Sequence, residues 1–286
     1  MDRAKVDGVD LEYEVTGSGE PVLLIHGALI AAALAPLQKE PALAGYQLIR
    51  YHRRGVGGST HTPGPVTMAD QAADAVGLLA ELGVERAHIA GHSYGGSIAL
   101  QMAVDAPKTV QSLALLEPAL LDVPSAAAFF EGAAPVLEAY GAGHKEEAAG
   151  GFLALVAGME RAAAASAVEA TVPGGVDQAA KDADMFFSIE LGALTEWAFG
   201  AEQAKTIEQP VLSVVGSDSH AVFTDGRELL HSLFANVEDF TLEGAGHLLQ
   251  MERPEPVAKA LADFFGRHPI AGYDRGPTLG HGAGGR

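Results

Sequence analysis

Ser93 stands in the segment Gly-His-Ser-Tyr-Gly at 91–95, which fits the pattern Gly-x-Ser-x-Gly. A predicted strand at 87–90 precedes this segment, and a predicted helix at 94–105 follows the serine. A serine on a sharp turn between strand and helix takes a strained backbone conformation, and small neighbours let the two elements approach. We therefore predict that Ser93 is a nucleophile presented on this turn. The alternative is a serine that only caps the helix, a position where serine is common.

His247 is the candidate base for this serine, because a histidine with a pKa of about 6.5 accepts a proton near neutral pH. It follows a predicted strand at 237–242, and Gly244 and Gly246 let the turn bring the imidazole inward. The alternative is a histidine in a surface loop. The remaining histidines share no spacing typical of metal ligands, so we predict no metal site.

A carboxylate between Ser93 and His247 in the chain is needed to orient the imidazole and to stabilise its protonated form. Asp218 and Glu117 each come shortly after a predicted strand, so both are candidates. We leave the choice open, with a slight preference for Glu117 because its side chain is longer. For either residue the alternative is a solvated acid at a strand end.

Predicted strands alternate with predicted helices along most of the chain. The strands are expected at 22–25, 46–51, 87–90, 110–116, 210–216 and 237–242, and one of the helices at 30–44. This alternation predicts crossover connections and a mainly parallel sheet. The alanine-rich block from about 120 to 205 is helix-like, which favours a helical cap inserted after one strand. We expect the aromatic side chains of this block to form its core and some of them to line an apolar cleft.

Four motifs follow one another in an order that resembles the α/β-hydrolase superfamily, in the branch with a serine nucleophile and a helical cap. They are His-Gly at 26–27, Arg-Gly-Val-Gly-Gly-Ser at 54–59, the segment around Ser93, and Gly-Ala-Gly-His at 244–247. The resemblance covers most of residues 9–267. It implies the α/β-hydrolase fold, with a mainly parallel, eight-stranded sheet flanked by helices and a helical cap inserted after the sixth strand.

The same resemblance divides the chain into parts. Residues 1–119 and 206–267 are expected to form the α/β-hydrolase core, and residues 120–205 the helical cap. Residues 268–286 are rich in glycine and poor in apolar side chains, so we expect a flexible C-terminal tail.

Several site residues take their expected roles from this resemblance. It implies an oxyanion hole formed by the backbone N–H groups of Ala28 and Tyr94, and it assigns His247 the role of the base. It also gives His26 a structural role in the oxyanion loop. The side chain of His92, inside the serine segment, is expected to point away from the site.

The chain departs from the family pattern at two positions. Asp218 stands one residue before the place of the family's usual aspartate, which Ser219 occupies, whereas Glu117 stands at an alternative site used in some branches. His52 replaces an aspartate that many relatives carry two residues before Arg54. We expect His52 either to bond within its loop or to adjust substrate choice at the mouth of the pocket.

The composition excludes several classes of function. A formal net charge of −19, from 37 acidic and 18 basic residues, disfavours binding to nucleic acid or to anionic membranes. The absence of cysteine excludes disulfides, zinc–thiolate sites and iron–sulfur clusters. The first residues lack the apolar stretch of a secretion signal, and no run of about 18–20 uncharged apolar residues occurs. We therefore expect a cytoplasmic protein that does not enter a membrane.

These features predict a serine hydrolase that acts on a carboxylic ester, or on a related small acyl substrate, through an acyl-enzyme intermediate. We expect an apolar small molecule as its substrate and no cofactor. One alternative is a ligand sensor or regulator of the same fold with slow or no turnover. Another is an enzyme that hydrolyses carbon–carbon bonds, opens lactones or performs cofactor-free perhydrolysis. A homodimer is compatible with the sequence.

Overall fold

The computed structural model describes residues 1–61 and 64–273, and its centre is one eight-stranded sheet. The strands are β1 (Asp2–Val6), β2 (Val9–Gly17), β3 (Glu20–Ile25), β4 (Tyr46–Tyr51), β5 (Ala87–His92), β6 (Val110–Leu116), β7 (Val211–Gly216) and β8 (Val237–Leu242). Their order across the sheet is β1-β2-β4-β3-β5-β6-β7-β8. β2 pairs antiparallel with β1 and β4, and the pairs from β4 to β8 are all parallel. The predicted eight-stranded, mainly parallel sheet is therefore confirmed.

Helices occupy the connections after β4. They are α1 (Met68–Glu81), α2 (Tyr94–Asp105), α3 (Ala126–Gly141), α4 (Lys145–Ala157), α5 (Arg161–Thr171), α6 (Gly175–Lys181), α7 (Ala183–Met185), α8 (Leu191–Glu196), α9 (Ala201–Ala204), α10 (Ala221–Leu233), α11 (Leu249–Glu252) and α12 (Pro254–Arg267). Among the helices within 1–61 and 64–273, none is by itself long and apolar enough to cross a membrane. By length and composition, α4 and α5 pass that test only together, as a pair bent by 90°.

Both faces of the central strands are apolar, so helices cover the sheet on both sides. In β3, Leu23 and Ile25 pack in one core with side chains of α1, α2 and α10. Val22 and Leu24 point to the opposite face and pack in a second core with side chains of α12. This alternation follows from the two-residue period of a strand, and it buries β3 completely.

Helices α3 to α9 and a π-helical turn, Phe186–Glu190, lie between β6 and β7, where the sequence predicts an inserted cap. We call residues 126–204 the helical insertion. Its apolar cluster includes Leu153 and continues into Leu29 and Leu248, which lie in the loops after β3 and β8. The insertion therefore packs on the edge of the sheet where these loops emerge. The division of the chain into core and cap units stays a prediction.

The predicted helix at 30–44 is wrong. The structure has two short 3-10 helices in its second half, Ala35–Lys39 and Pro41–Leu43. Alanine favours a helix by propensity, but a proline has no backbone N–H to donate and its ring clashes with the preceding turn of an α-helix. Pro36 and Pro41 therefore override the composition.

The end of the described chain differs from the loose tail that the sequence predicts from residue 268 onward. Within 268–273, the backbone N–H of Ile270 donates to the carboxylate of Glu20 at 3.1 Å. The hydroxyl of Tyr273 donates to the carbonyl of Gly19 at 2.7 Å. These bonds attach 268–273 to the start of β3. Residues 274–286 lie outside the described residues.

Candidate active site

Ser93 lies between the end of β5 and the start of α2, on the predicted sharp turn. Its backbone angles are φ +53° and ψ −122°, a conformation that non-glycine residues rarely adopt. Although it holds the cap position of α2, its hydroxyl makes no capping hydrogen bond. The alternative interpretation as a helix cap therefore lacks the bond that would define it. The side chain is partly exposed, unlike its buried neighbours in the turn.

Two glycines make this turn sterically possible. A Cβ atom at Gly95 would lie 2.2 Å from the carbonyl oxygen of Ile25, and one at Gly91 would lie 2.3 Å from the carbonyl oxygen of Gly95. Both oxygens belong to the backbone, so neither can move aside cheaply. The glycine spacing in the sequence thus reflects the close approach of β3, β5 and α2 around Ser93.

His247 contacts a carboxylate, and that carboxylate belongs to Glu117. The Nδ1 atom of His247 lies 2.6 Å from Oε2 of Glu117, and both side chains are buried. The other carboxylate oxygen of Glu117 accepts hydrogen bonds from the backbone N–H of Gly216, at 2.7 Å, and from the hydroxyl of Ser219. An imidazole that donates from Nδ1 keeps Nε2 free to accept a proton.

Asp218 is not the residue that contacts His247, so this part of the open choice is corrected. Asp218 is exposed, and its carboxylate accepts a hydrogen bond from the hydroxyl of Ser217 at 2.9 Å. The register explains the difference. Ser219 occupies the position expected for an aspartate and donates to Glu117 instead.

Aromatic rings hold the imidazole of His247 on two sides. The ring of Phe223 stacks on it with 3.8 Å between centroids and 8° between planes. The ring of His92 lies 4.6 Å away, and its Nε2 donates to the backbone carbonyl of His247 at 2.9 Å. The expectation that His92 points away from the site is therefore wrong.

His92 is nevertheless not a second base. Burial and the neighbouring His247 lower the pKa of His92 well below its usual value, so the ring is neutral. Its Nε2 donates to the carbonyl of His247, and the side chain of Gln250 donates to its Nδ1 at 3.3 Å. Both ring nitrogens are thus engaged, one with the loop that carries His247 and the other with α11 directly after it.

The predicted oxyanion loop follows β3 and comes very close to the serine. A Cβ atom at Gly27 would lie 3.0 Å from Cβ of Ser93, so only glycine fits without a shift of its neighbours. The carbonyl of Gly27 accepts a hydrogen bond from Nδ1 of His26 at 2.7 Å. Burial is the main cause that lowers the pKa of His26, and the nearby Arg53 lowers it further. A neutral His26 therefore holds the loop, as the structural role implied by the resemblance requires.

Two cavities meet at Ser93. The larger has a volume of about 50 Å³ and the smaller about 20 Å³. Both contact Ala28 and Ser93, and the smaller one reaches His247. The side chains lining the larger cavity carry no charge within the described part of the chain; most are aliphatic or aromatic, among them Phe129, Phe130, Val136, Leu137, Phe152, Phe186, Phe187, Leu191, Leu194 and Phe223.

The sequence matches the model of the alpha/beta hydrolase fold family over residues 20–254. The chain belongs to the α/β-hydrolase fold family. A protein from Azorhizobium caulinodans named "Putative carbamate hydrolase RutD" is 39% identical over 107 residues, which are 37% of this chain and 40% of that protein. The match thus spans about two fifths of the length of this curated relative.

Solved structures share the fold over nearly the whole chain. A thermophilic esterase from Thermogutta terrifontis has a TM-score of 0.73 at 24% identity, with 94% of this chain and 100% of the esterase covered. An enol-lactonase from Burkholderia xenovorans LB400 has a TM-score of 0.70 at 23% identity, with coverages of 93% and 100%. At these identities the likeness is one of fold.

His52 contacts Glu12 on β2, the strand that pairs antiparallel with β4. Its Nδ1 lies 3.1 Å from a carboxylate oxygen of Glu12, which also accepts from the backbone N–H of Gly58 at 3.0 Å. Burial, followed by Arg50, lowers the pKa of His52. His52 does not line either cavity at Ser93. Among the described residues, the side chain of His52 therefore bonds to β2 and not within its own loop, and Glu12 links it to Gly58 in that loop.

Sequence reasoning missed one pair of buried charges. Arg53 and Glu190 are fully buried and form an ion pair between the loop after β4 and the π-helical turn of the insertion. The signal was a lone acid in the mostly apolar stretch 185–191. Charges in such a stretch are buried only when they are paired. Within 1–61 and 64–273, no cluster of three or more histidine or acidic side chains could hold a metal ion.

Proposed function

We propose that this chain is a serine hydrolase that cleaves a carboxylic ester, or a related small acyl compound, through an acyl-enzyme intermediate. The observation that carries the proposal is the arrangement at the strand ends. Ser93 and His247 line one cavity, and His247 donates to the buried Glu117 over 2.6 Å. A nucleophile, a base and an orienting acid on three different loops form the arrangement used in acyl transfer.

In the proposed reaction, the hydroxyl oxygen of Ser93 attacks the substrate carbonyl while Nε2 of His247 takes its proton. Glu117 stabilises the imidazolium that forms. The negative charge on the carbonyl oxygen is held by the N–H groups of Ala28 and Tyr94. The imidazolium then gives its proton to the leaving alcohol. Water, activated by His247, finally breaks the acyl-enzyme bond and restores Ser93.

The proposed substrate is an uncharged molecule with an apolar acyl or alcohol part. The larger cavity at Ser93 is lined by aliphatic and aromatic side chains, and burying an unpaired charge there would be costly. The names of the relatives, a carbamate hydrolase, an esterase and an enol-lactonase, are consistent with hydrolysis at a carbonyl. No cofactor takes part in the proposed steps.

Hydrolysis of p-nitrophenyl esters of increasing acyl length tests the nucleophile. We expect turnover by the natural chain and a loss of at least about 10⁴-fold in kcat for Ser93→Ala. Ser232→Ala is the matched control, since Ser232 is an exposed serine on α10 whose hydroxyl donates to the carbonyl of Leu229. Equal rates for Ser93→Ala and the natural chain would refute the proposal. A reactive Ser93 without turnover of any ester would favour the ligand-sensor alternative.

A pair of esters that differ in charge tests the apolar cavity. Mono-p-nitrophenyl adipate ends in a carboxylate, whereas p-nitrophenyl 6-methylheptanoate ends in an isopropyl group of similar shape. We expect kcat/KM for the charged ester to be lower by at least about 100-fold, because its carboxylate would lose water without gaining a partner. Similar values for both esters would show that the acyl chain does not enter this cavity.

A further inference from the structure

The buried ion pair between Arg53 and Glu190 lies directly behind the proposed oxyanion hole. Two guanidinium nitrogens of Arg53 donate to the carboxylate of Glu190, and neither side chain is exposed to solvent. Gln71, on α1, donates to the same carboxylate at 3.2 Å. Removing two charges from water is costly, and apolar side chains often serve stability equally well. The pair therefore calls for a role besides stability.

A role besides stability is indicated by the contact between Arg53 and the peptide group that joins Gly27 and Ala28. The carbonyl of Gly27 accepts hydrogen bonds from Nη2 of Arg53, at 3.0 Å, and from Nδ1 of His26, at 2.7 Å. A peptide group is planar and trans, so its N–H points opposite to its carbonyl. Two donors that fix the carbonyl of Gly27 therefore also fix the direction of the N–H of Ala28.

Arg53 contacts the second proposed oxyanion donor as well. The carbon of its guanidinium lies 4.8 Å from the centroid of the Tyr94 ring. A cation over an aromatic face is attracted to it. In addition, the backbone N–H of Arg53 donates to Nε2 of His26 at 3.1 Å. Arg53 thus contacts the carbonyl of the peptide group that carries the N–H of Ala28, the ring of Tyr94, and the histidine that supports the loop.

We propose that Arg53, held in place by Glu190, is a positioning residue that directs the N–H of Ala28 at the oxyanion. This inference rests on the proposed function. The positive charge also polarises the peptide group through the carbonyl of Gly27, which strengthens the N–H as a donor. Because Glu190 belongs to the helical insertion, the hole takes its full geometry only when the insertion is seated on the loop after β4.

The double variant Arg53→Met/Glu190→Leu tests the proposal, since it removes both charges and leaves none buried without a partner. We expect kcat for ester hydrolysis to fall by about 10- to 100-fold, with KM changed by less than about 3-fold, because the donor acts mainly in the transition state. The Arg53→Lys variant keeps the charge but loses the bidentate hydrogen bonding of the guanidinium. We therefore expect its kcat to lie between those of the natural chain and the double variant. Its thermal unfolding midpoint should stay close to that of the natural chain.

The neighbouring pair Arg54 and Asp74 supplies a matched control. Arg54 lies in the same loop and donates twice to the buried Asp74, at 2.5 Å each, and within 1–61 and 64–273 it donates no hydrogen bond to Gly27. We expect Arg54→Met/Asp74→Leu to keep kcat within about 3-fold of the natural chain.

Hydrogen exchange of the backbone amides at 27–30 gives a readout that does not depend on catalysis. We expect faster exchange in Arg53→Met/Glu190→Leu and Arg53→Lys, but not in the Arg54→Met/Asp74→Leu control. Unchanged kcat and unchanged exchange in both Arg53 variants would overturn the inference. A natural chain that cleaves no ester and has an unreactive Ser93 would refute the proposed function instead. The exchange data would then still decide whether the pair holds the loop.

Discussion

Glu117 has a positive φ of 46°, which is unusual for a residue with a side chain. The conformation comes where β6 ends, and Pro118 follows at once. It lets one carboxylate oxygen face His247 while the other accepts bonds from Gly216 and Ser219 on the neighbouring strand end. At the scale of single residues, strain at Glu117 is thus associated with a carboxylate that has a partner on both oxygens.

Replacing each candidate acid by its amide separates their roles. We expect Glu117→Gln to lower kcat by roughly 10³- to 10⁴-fold, because the amide no longer stabilises the imidazolium or selects the right tautomer. Asp218→Asn should leave kcat almost unchanged, since Asp218 is exposed and bonds to Ser217. Steady-state kinetics on one ester measures kcat for both variants. A larger loss of kcat for Asp218→Asn than for Glu117→Gln would contradict the proposal that Glu117 orients His247.

The sequence predicted Ser93 and His247 as candidate nucleophile and base but left the candidate acid open for a physical reason. Ser93 is surrounded by glycines whose spacing reports the tight turn, and His247 stands in a similar glycine context. Glu117 and Asp218 both follow strands, and a one-residue register decides which carboxylate meets a histidine 130 positions from Glu117. Such a choice depends on how β6, β7 and β8 align in space, which the local sequence does not encode.

At the scale of elements, the turn between β5 and α2 depends on how closely three backbones approach. Gly91 and Gly95 are required because a Cβ atom would collide with backbone oxygens. This part of the fold could be predicted from the motif. The π-helical turn that presents Glu190 could not, because the residues around it read as an ordinary apolar helix.

A glycine-to-alanine pair tests the packing of this turn. We expect Gly95→Ala to lower the free energy of unfolding by about 1–3 kcal/mol or more, because its Cβ would lie 2.2 Å from the carbonyl oxygen of Ile25. Gly192→Ala, on the exposed face of α8 with open space around it, should raise the free energy by about 0.5–1 kcal/mol. Urea unfolding measures both, and equal effects would contradict the packing argument.

At the scale of the whole molecule, buried neutral histidines couple stability to pH. Burial is the main cause that lowers the pKa of both His26 and His92 well below the usual value. Below about pH 6.5 the unfolded chain binds protons at these histidines while the folded chain does not. Protons therefore favour the unfolded state, and the free energy of unfolding falls as the pH drops below about 6.5.

Unfolding in urea at a series of pH values between 7 and 5 measures this coupling. Each buried histidine contributes up to about 1.4 kcal/mol per pH unit to the slope. We expect His92→Gln to reduce the slope by up to that amount, whereas His144→Gln, a change at an exposed histidine, should leave it unchanged. The same slope for His92→Gln and the natural chain would show that His92 does not stay neutral in the folded state.

The strands and the place of the helical insertion in the chain could be predicted from the sequence, but the contacts that hold the insertion on the sheet could not. Hydrophobic runs and turn residues were enough for the strands of the parallel part of the sheet, of which β3, β5 and β7 are buried on both faces. The contacts that seat the insertion are long-range pairs such as Arg53 with Glu190, which are 137 positions apart. The sequence does not show that these two charges pair, because they come together only in the folded chain.

Covalent labelling tests most directly whether Ser93 is the nucleophile of a serine hydrolase, as we propose. A fluorophosphonate is mixed with the natural chain, and peptide mass mapping locates the adduct. We predict one phosphonyl group per chain, on Ser93, and a strongly reduced labelling rate in Glu117→Gln, because the imidazole can no longer activate the hydroxyl efficiently. An adduct on another residue, or no adduct under conditions where esters are hydrolysed, would contradict the account.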